Sequence, residues 1–136
     1  MIITSSKMDG RVPVTVLHLH GDLDASNYTD VIREAQEMYG NGARHLVIDL
    51  AKVPYMSSAG LMALHTVALI FTGQAVQSSE SGRPVFRALD LRQDSAAREH
   101  VKLLNPQTQV DQVLETVGLK QFFGVYADVE SAVGSF

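Results

Sequence analysis

The stretch Leu46 to Phe71, LVIDLAKVPYMSSAGLMALHTVALIF, constrains the fold of this chain more than any other. It opens on Leu46-Val47-Ile48-Asp49-Leu50, an almost unbroken apolar run that predicts a strand buried on both faces, as in the middle of a parallel sheet. Pro54 and Tyr55 mark a short loop, Ser57-Ser58-Ala59-Gly60 follows, and the apolar run from Leu61 predicts a helix of about three turns. Two serines at a strand–loop–helix junction admit three readings: a phosphorylation switch, a catalytic serine, or a helix cap.

The segments on either side extend this unit. Ile2 and Ile3 open a first strand that Asp9-Gly10 ends as a turn. Val12 to His20 predicts a second strand, with Val14, Val16, His18 and His20 on one face and Thr15, Leu17 and Leu19 on the other. A two-residue turn between them makes an antiparallel hairpin. Ser26 or Asn27 can cap a helix whose buried stripe is Tyr28, Val31, Ile32, Ala35, Met38 and Tyr39, and Gly40-Asn41-Gly42 ends it. Beyond Gly73 the composition changes. Residues 74–83 have no apolar period and read as a mobile loop, and in 84–100 helical spacing (Phe86, Leu89) and strand alternation (Leu89, Leu91) both occur, so spacing leaves that segment open. Val101–Leu104 is a short strand. Thr108 caps a helix with Val110, Val113, Leu114 and Val117 as its stripe, and Gly118 ends it with Leu119 folded back on the last turn. Val125-Tyr126 is an edge strand and Asp128 caps a final helix carrying Val129, Ala132 and Val133. Strands alternating with helices after a hairpin predict an α/β fold with a mixed, mostly parallel sheet.

Composition narrows the function classes. The chain of 136 residues is long enough for one domain with its own core. With no cysteine, thiolate metal sites and disulfides are excluded. A net charge of −4 offers no basic surface for nucleic acid. The longest apolar run, Leu61 to Phe71, is far short of the ~20 residues a bilayer span needs. The first residues lack a basic start before an apolar core, so no signal peptide is expected and the protein is expected in the cytoplasm, with no direct membrane insertion.

Ser58 stands where a helix begins. Unpaired N–H groups and the positive end of the macrodipole gather there, so a hydroxyl caps the helix and a phosphate is stabilised by the same groups. A phosphate adds roughly −1.5 to −2 charges, enough to evict a partner from a docking surface. A serine nucleophile on such a junction usually appears as G-x-S-x-G, but Met56 holds the first glycine position and only Gly60 matches. His65 lies two helical turns from Ser58 and points along the helix. His18, His20 and Asp22 share a strand face with metal-ligand chemistry, but no second cluster completes a site, so rim histidines are the expected reading and no metal or cofactor is expected. No phosphate-binding loop signature is present.

Three motifs in order are similar to those of the STAS domain family, named for sulfate transporters and anti-sigma factor antagonists. Val16-Leu17-His18-Leu19-His20-Gly21-Asp22-Leu23-Asp24 resembles the family's strand ending in G-x-L-D. Leu46–Leu50 followed by Val53-Pro54-Tyr55-Met56-Ser57-Ser58-Ala59-Gly60-Leu61 resembles its central signature, and Val117-Gly118-Leu119 with Phe122-Phe123 its C-terminal element. The resemblance implies a single STAS-like domain over 1–136, with a five-stranded, mostly parallel sheet, an N-terminal antiparallel hairpin and about four helices. It implies an anti-sigma factor antagonist, a non-enzymatic phosphoprotein that regulates transcription by partner switching. Ser58 would be the phosphoacceptor, with Ser57 the alternative. The partner surface would comprise Asp22, Asp24, Tyr55, Met56, Ser57, Ser58, Gly60 and Leu61. The partners implied are an anti-sigma factor that is also a serine kinase of the GHKL type and a PP2C-type phosphatase, with a homodimer left open.

Two features depart from the family pattern. Many antagonists carry an acidic residue immediately before the phosphoserine, where this chain has Ser57. An insertion at about 73–100 separates a helix and a strand that the family joins tightly. The competing reading is a STAS scaffold or sensor subunit of a larger signalling or membrane-associated complex.

Overall fold

The computed structural model describes residues 1–72, 77–78, 84–85 and 97–136. Strand β1 (Ile2–Asp9) pairs antiparallel with β2 (Pro13–His20), with Ile2 opposite His20 and Asp9 opposite Pro13. The loop between them is therefore three residues, Gly10-Arg11-Val12, rather than the two-residue turn expected. The chain continues through α1 (Tyr28–Gly40), β3 (Leu46–Lys52) and α2 (Ser58–Phe71). Two short strands, β4 (Gln77–Ser78) and β5 (Pro84–Val85), pair antiparallel as a separate ladder. Then come α3 (Ala97–His100), β6 (Val101–Leu104), α4 (Thr108–Thr116), a 3-10 turn (Leu119–Phe122), β7 (Gly124–Tyr126) and α5 (Val129–Gly134). The main sheet has the order β1-β2-β3-β6-β7, with β2, β3, β6 and β7 mutually parallel. This is the mixed, mostly parallel sheet that the alternation of elements predicts. Most of the segment read as a loop and an unassigned stretch, 74–100, lies outside the described residues.

Pleat alternation divides the core in two. Leu17, Leu19, Ile48, Leu50 and Leu103 point to the face covered by α1, α2 and α4, where they form the main buried cluster with Val31, Ile32, Leu64, Val67 and Leu114. Val14, Val16, Val47 and Leu104 point to the other face and pack against Ala132 and Val133 of α5. One short helix covers far less area than three, so among the described residues part of this second face is left uncovered beside β1 and β2. The chain end of α1 is pinned to α2 by an edge-on contact of Tyr39 with Phe71, ring centroids 5.5 Å apart. Arg44 lies over the outer face of Tyr39, 3.9 Å from the ring centre.

The cap expected at Thr108 moves by one residue. Thr108 is the first helical residue of α4 and Gln107 holds the cap position, its side-chain N–H donating to Ala51 O at 2.9 Å and so tying α4 to β3. Asn27 occupies the cap position of α1 but makes no side-chain cap bond; its carboxamide accepts from Asp24 N–H and donates to Asp22 O. Asp128 caps α5 as expected, accepting from Ser131 N–H at 2.8 Å. The stripe expected on α4 is half right: Val110 and Leu114 are buried, while Val113 and Val117 are exposed, Val117 by 46%.

His45, at the start of β3, carries a pH prediction. Its ring stacks on His100 with centroids 5.7 Å apart and leans on Phe136 at 5.0 Å. Burial, and then the positive charge His100 can carry, hold its pKa below the ordinary 6.5. The unfolded chain therefore takes up this proton first. Stability is complete above about pH 6.5 and falls as the pH drops through that value toward the lower folded pKa. We expect the melting temperature to decline between about pH 7.5 and 5.5, and a His45→Gln variant to decline less. Parallel curves for the two proteins would overturn the assignment.

Candidate functional site

The serine junction is built by two loops joined through their backbones. Gly21 N–H donates to Lys52 O (2.9 Å), Leu23 N–H to Tyr55 O (3.0 Å) and Ser57 N–H to Leu23 O (2.9 Å), and Leu23 and Met56 form a parallel bridge. The loop leaving β2 thus runs alongside the loop leaving β3. Both lie at the carboxyl ends of adjacent parallel strands, the end at which open α/β sheets place their binding sites. Gly21 adopts φ +112°, a conformation that favours glycine and lets the chain turn out of β2 at this edge.

The two serines have different tasks. Ser57 is the N-cap of α2, in an extended conformation, and its Oγ accepts from Gly60 N–H at 3.4 Å. Ser58 is the first helical residue. Its side chain is exposed and makes no cap bond, so the cap expected of Ser58 belongs to Ser57. The first turn of α2 contains no acidic side chain to repel an anion. Ser58 therefore presents a solvent-facing hydroxyl at the positive end of a 14-residue helix.

The other residues proposed from sequence divide into exposed groups and supports. Tyr55 stands out at 53% exposure, Asp22 is exposed, and Leu61 is half-buried. Asp24 is half-buried and held by its neighbour: its Oδ1 accepts from Ser26 N–H (2.9 Å) and Ser26 Oγ–H (2.5 Å), and these bonds lower its pKa. Met56 is only 4% exposed and belongs to the main core beneath the loop. Gly60 is buried against the loop, with Leu23 O and Met56 Cγ each 2.7 Å from where its Cβ would be. Met62, absent from the sequence expectation, adds an exposed apolar side chain one helical turn from Ser58. It escaped notice because the helix that carries it is apolar almost throughout, which hides the exposed position in the pattern.

The histidine grouping on β2 assembles differently from the metal-site alternative. His18 pairs across strands with Asp49, Nδ1 to Oδ2 at 2.9 Å, while His20 is exposed at the strand end. Among the described residues no group of three His, Asp or Glu side chains could hold a metal ion. A surface cavity of about 730 Å³ lies at the far end of the sheet, between the β1–β2 hairpin and the end of α1, where Thr15, Glu37, Arg44 and His45 line it. It includes none of the serine-junction residues. No helix among the described residues is long and apolar enough to cross a membrane.

Comparison with known proteins agrees with this architecture. The family model of the STAS domain matches residues 5–77, just over half of the chain and inclusive of the whole junction. No curated protein sequence matches. Among solved structures, a Thermotoga maritima protein assigned as an anti-sigma factor antagonist superposes with a TM-score of 0.70 at 15% identity, covering 96% of this chain and 90% of that one. An anti-sigma factor antagonist from Mycobacterium paratuberculosis gives 0.63 at 17% identity, covering 96% and 91%. The Bacillus cell fate determinant SpoIIAA, in its phosphorylated form, gives 0.60 at 16% identity, covering 97% and 96%. At these identities the likeness is one of fold.

Proposed function

The chain belongs to the STAS domain family, and on that premise we propose that it is an anti-sigma factor antagonist whose partner binding is switched by phosphorylation of Ser58. The observation that carries this reading is the position of Ser58: exposed, unencumbered, and first in a helix whose N-terminal N–H groups stabilise a phosphate. Ser57 is the poorer acceptor, because its oxygen is half-buried and already caps the helix. A serine in place of an acidic residue before Ser58 also removes a charge that would repel the phosphate.

The unphosphorylated surface fits a protein partner. Tyr55 and Met62 supply apolar area around Ser58, and Asp22 supplies charge at the edge. In this reading the partner is an anti-sigma factor that is also a GHKL-type serine kinase; sequestering it releases a sigma factor. A PP2C-type phosphatase resets the switch. Residues 1–136 act as one unit in this scheme. A homodimer is compatible with this scheme but not needed by it.

Incubation of the protein with its cognate kinase and ATP tests the proposal. One phosphate is expected per chain, mapped to Ser58 by mass spectrometry, retained in Ser57→Ala and lost in Ser58→Ala. Uptake at Ser57 alone, or no uptake by a kinase that binds the protein, sinks the Ser58 switch.

A further inference from the structure

On the sheet face away from α1 and α2, three polar side chains from three strands form a linear hydrogen-bonded chain. Ser6 of β1 and His18 of β2 are 3.0 Å apart, Oγ to Nε2, and His18 Nδ1 is 2.9 Å from Asp49 Oδ2 of β3. The protonation pattern follows from chemistry. An ionised carboxylate can only accept, so the neutral imidazole carries its proton on Nδ1 and donates it to Asp49. Nε2 is then the acceptor, and Ser6 Oγ–H donates to it. This is the order of bonds that makes a serine nucleophilic: hydroxyl to base, base to an orienting acid. Asp49 is itself held, its Oδ1 accepting from Ala51 N–H at 3.0 Å.

The chain of three opens onto a cavity of about 380 Å³ that Ser6, His18 and Asp49 all line. Its other walls include Met8, Val16, Leu104 and Val129, which are apolar, and the polar Asn105 and Asp128. The side chain of Ser6 is exposed, whereas His18 and Asp49 retain only 32% and 21% of their side-chain exposure. The nucleophile is accessible and its base and orienting acid are sheltered. The three sit on successive hydrogen-bonded strands of one sheet, with His18 directly opposite Asp49 in the β2–β3 register. Among the lining residues Asn105 carries a carboxamide, a group able to donate to an oxygen that becomes negative, while the carboxylates of Asp49 and Asp128 disfavour an anionic substrate.

We propose that Ser6, His18 and Asp49 form an acyl-transfer site for small uncharged esters, separate from the Ser58 switch. Ser6 Oγ adds to the ester carbonyl carbon as its proton passes to His18 Nε2. The carbon–alkoxide bond breaks, His18 returns the proton to the departing oxygen, and the alcohol leaves an acyl group on Ser6. Water then attacks that acyl group, giving its proton to His18; the acid is released and the proton returns to Ser6 Oγ. Ser6 and His18 are the catalytic residues, and Asp49 positions His18.

The test uses the full chain with a fluorophosphonate probe and with p-nitrophenyl butyrate, circular dichroism verifying the fold of each variant. The folded protein is expected to be labelled at Ser6, mapped by mass spectrometry, and the heat-unfolded protein is not. Labelling and ester cleavage are lost in Ser6→Ala and fall at least about 100-fold in folded His18→Gln, the scale of a removed general base. Ser58→Ala leaves both unchanged, and Ser6→Ala leaves phosphate uptake at Ser58 unchanged, so the two sites fail independently. Asp49→Asn, whose amide can donate to Nδ1 and leave the proton on Nε2, is expected to slow labelling at least about tenfold, with Asp49→Glu recovering part of the rate. Absence of label on Ser6, or equal rates in wild type and His18→Gln, overturns the site. Equal rates in wild type, Asp49→Asn and Asp49→Glu overturn the positioning role.

Discussion

Ser58→Asp is expected to weaken binding of the proposed anti-sigma factor partner by at least about 100-fold, close to 3 kcal/mol, while Ser58→Ala stays within about threefold of wild type. The size of the effect comes from desolvation. Ser58 is exposed in the free protein, so the new carboxylate costs nothing there. Covered by a partner, it becomes a charge removed from water without a designed counter-ion. The fold should not suffer. A carboxylate in the first turn of α2 meets the positive end of the helix, worth about 0.3–1 kcal/mol in its favour, and no acidic neighbour in that turn opposes it. Isothermal titration calorimetry without nucleotide measures the affinity, and thermal unfolding measures stability separately. Lost binding with an unchanged or raised melting temperature isolates the charge at the interface. Equal affinities for the aspartate and alanine variants would remove Ser58 from the docking surface.

Gly60→Ala is expected to destabilise the protein by about 2–3 kcal/mol, although alanine is the better helix former by roughly 1 kcal/mol. The added Cβ would lie 2.7 Å from Leu23 O, 2.7 Å from Met56 Cγ and 2.9 Å from Leu23 Cγ. Leu23 O cannot give way freely, because it accepts the Ser57 N–H bond that joins the two loops. Either α2 lifts from the loops or that bond breaks. For a chain of this length the melting temperature should fall by about 10 °C. Gly40→Ala is the matched control: nothing lies within 4 Å of its Cβ position, and it should be neutral or stabilising. Urea or thermal unfolding of the pair decides the matter. If Gly60→Ala melts with or above wild type, the close packing of α2 on the Leu23–Met56 bridge is wrong.

Those two residues also mark how far the sequence could be read. Gly60 was recognisable as part of a signature, but its reason, a carbonyl oxygen from a loop 37 positions earlier, is a contact between segments distant along the chain. The serine pair was placed correctly at a helix start, yet which one caps is a matter of one residue and of backbone angles. In the fold Ser57, next to the bridge between Leu23 and Met56, is extended and Ser58 is helical. Gln107 and Thr108 repeat the same one-residue shift, because several polar residue types can occupy a cap position and only the backbone decides which does. On α4 the apolar period was right and the burial half wrong. Periodicity reports which side of a helix is apolar, whereas burial depends on how much of that side a neighbour reaches.

His18 is the clearest divergence. Along the sequence it groups with His20 and Asp22, the polar residues at alternate positions near the end of its own strand. In the fold its partners are Ser6 and Asp49, set 12 and 31 positions away by strand register.

By itself the sequence determined what is local: the strand and helix periods, the turn residues, the alternation that demands a largely parallel sheet, and a serine pair at a helix start. Those features depend on interactions between residues a few positions apart, which any reader of the pattern can count. The tertiary structure alone decided which serine is exposed, why Gly60 has no side chain, and that Ser6, His18 and Asp49 meet. Each of those depends on the register of strands and loops that are distant along the chain, and that register is set by burying the two faces of one sheet.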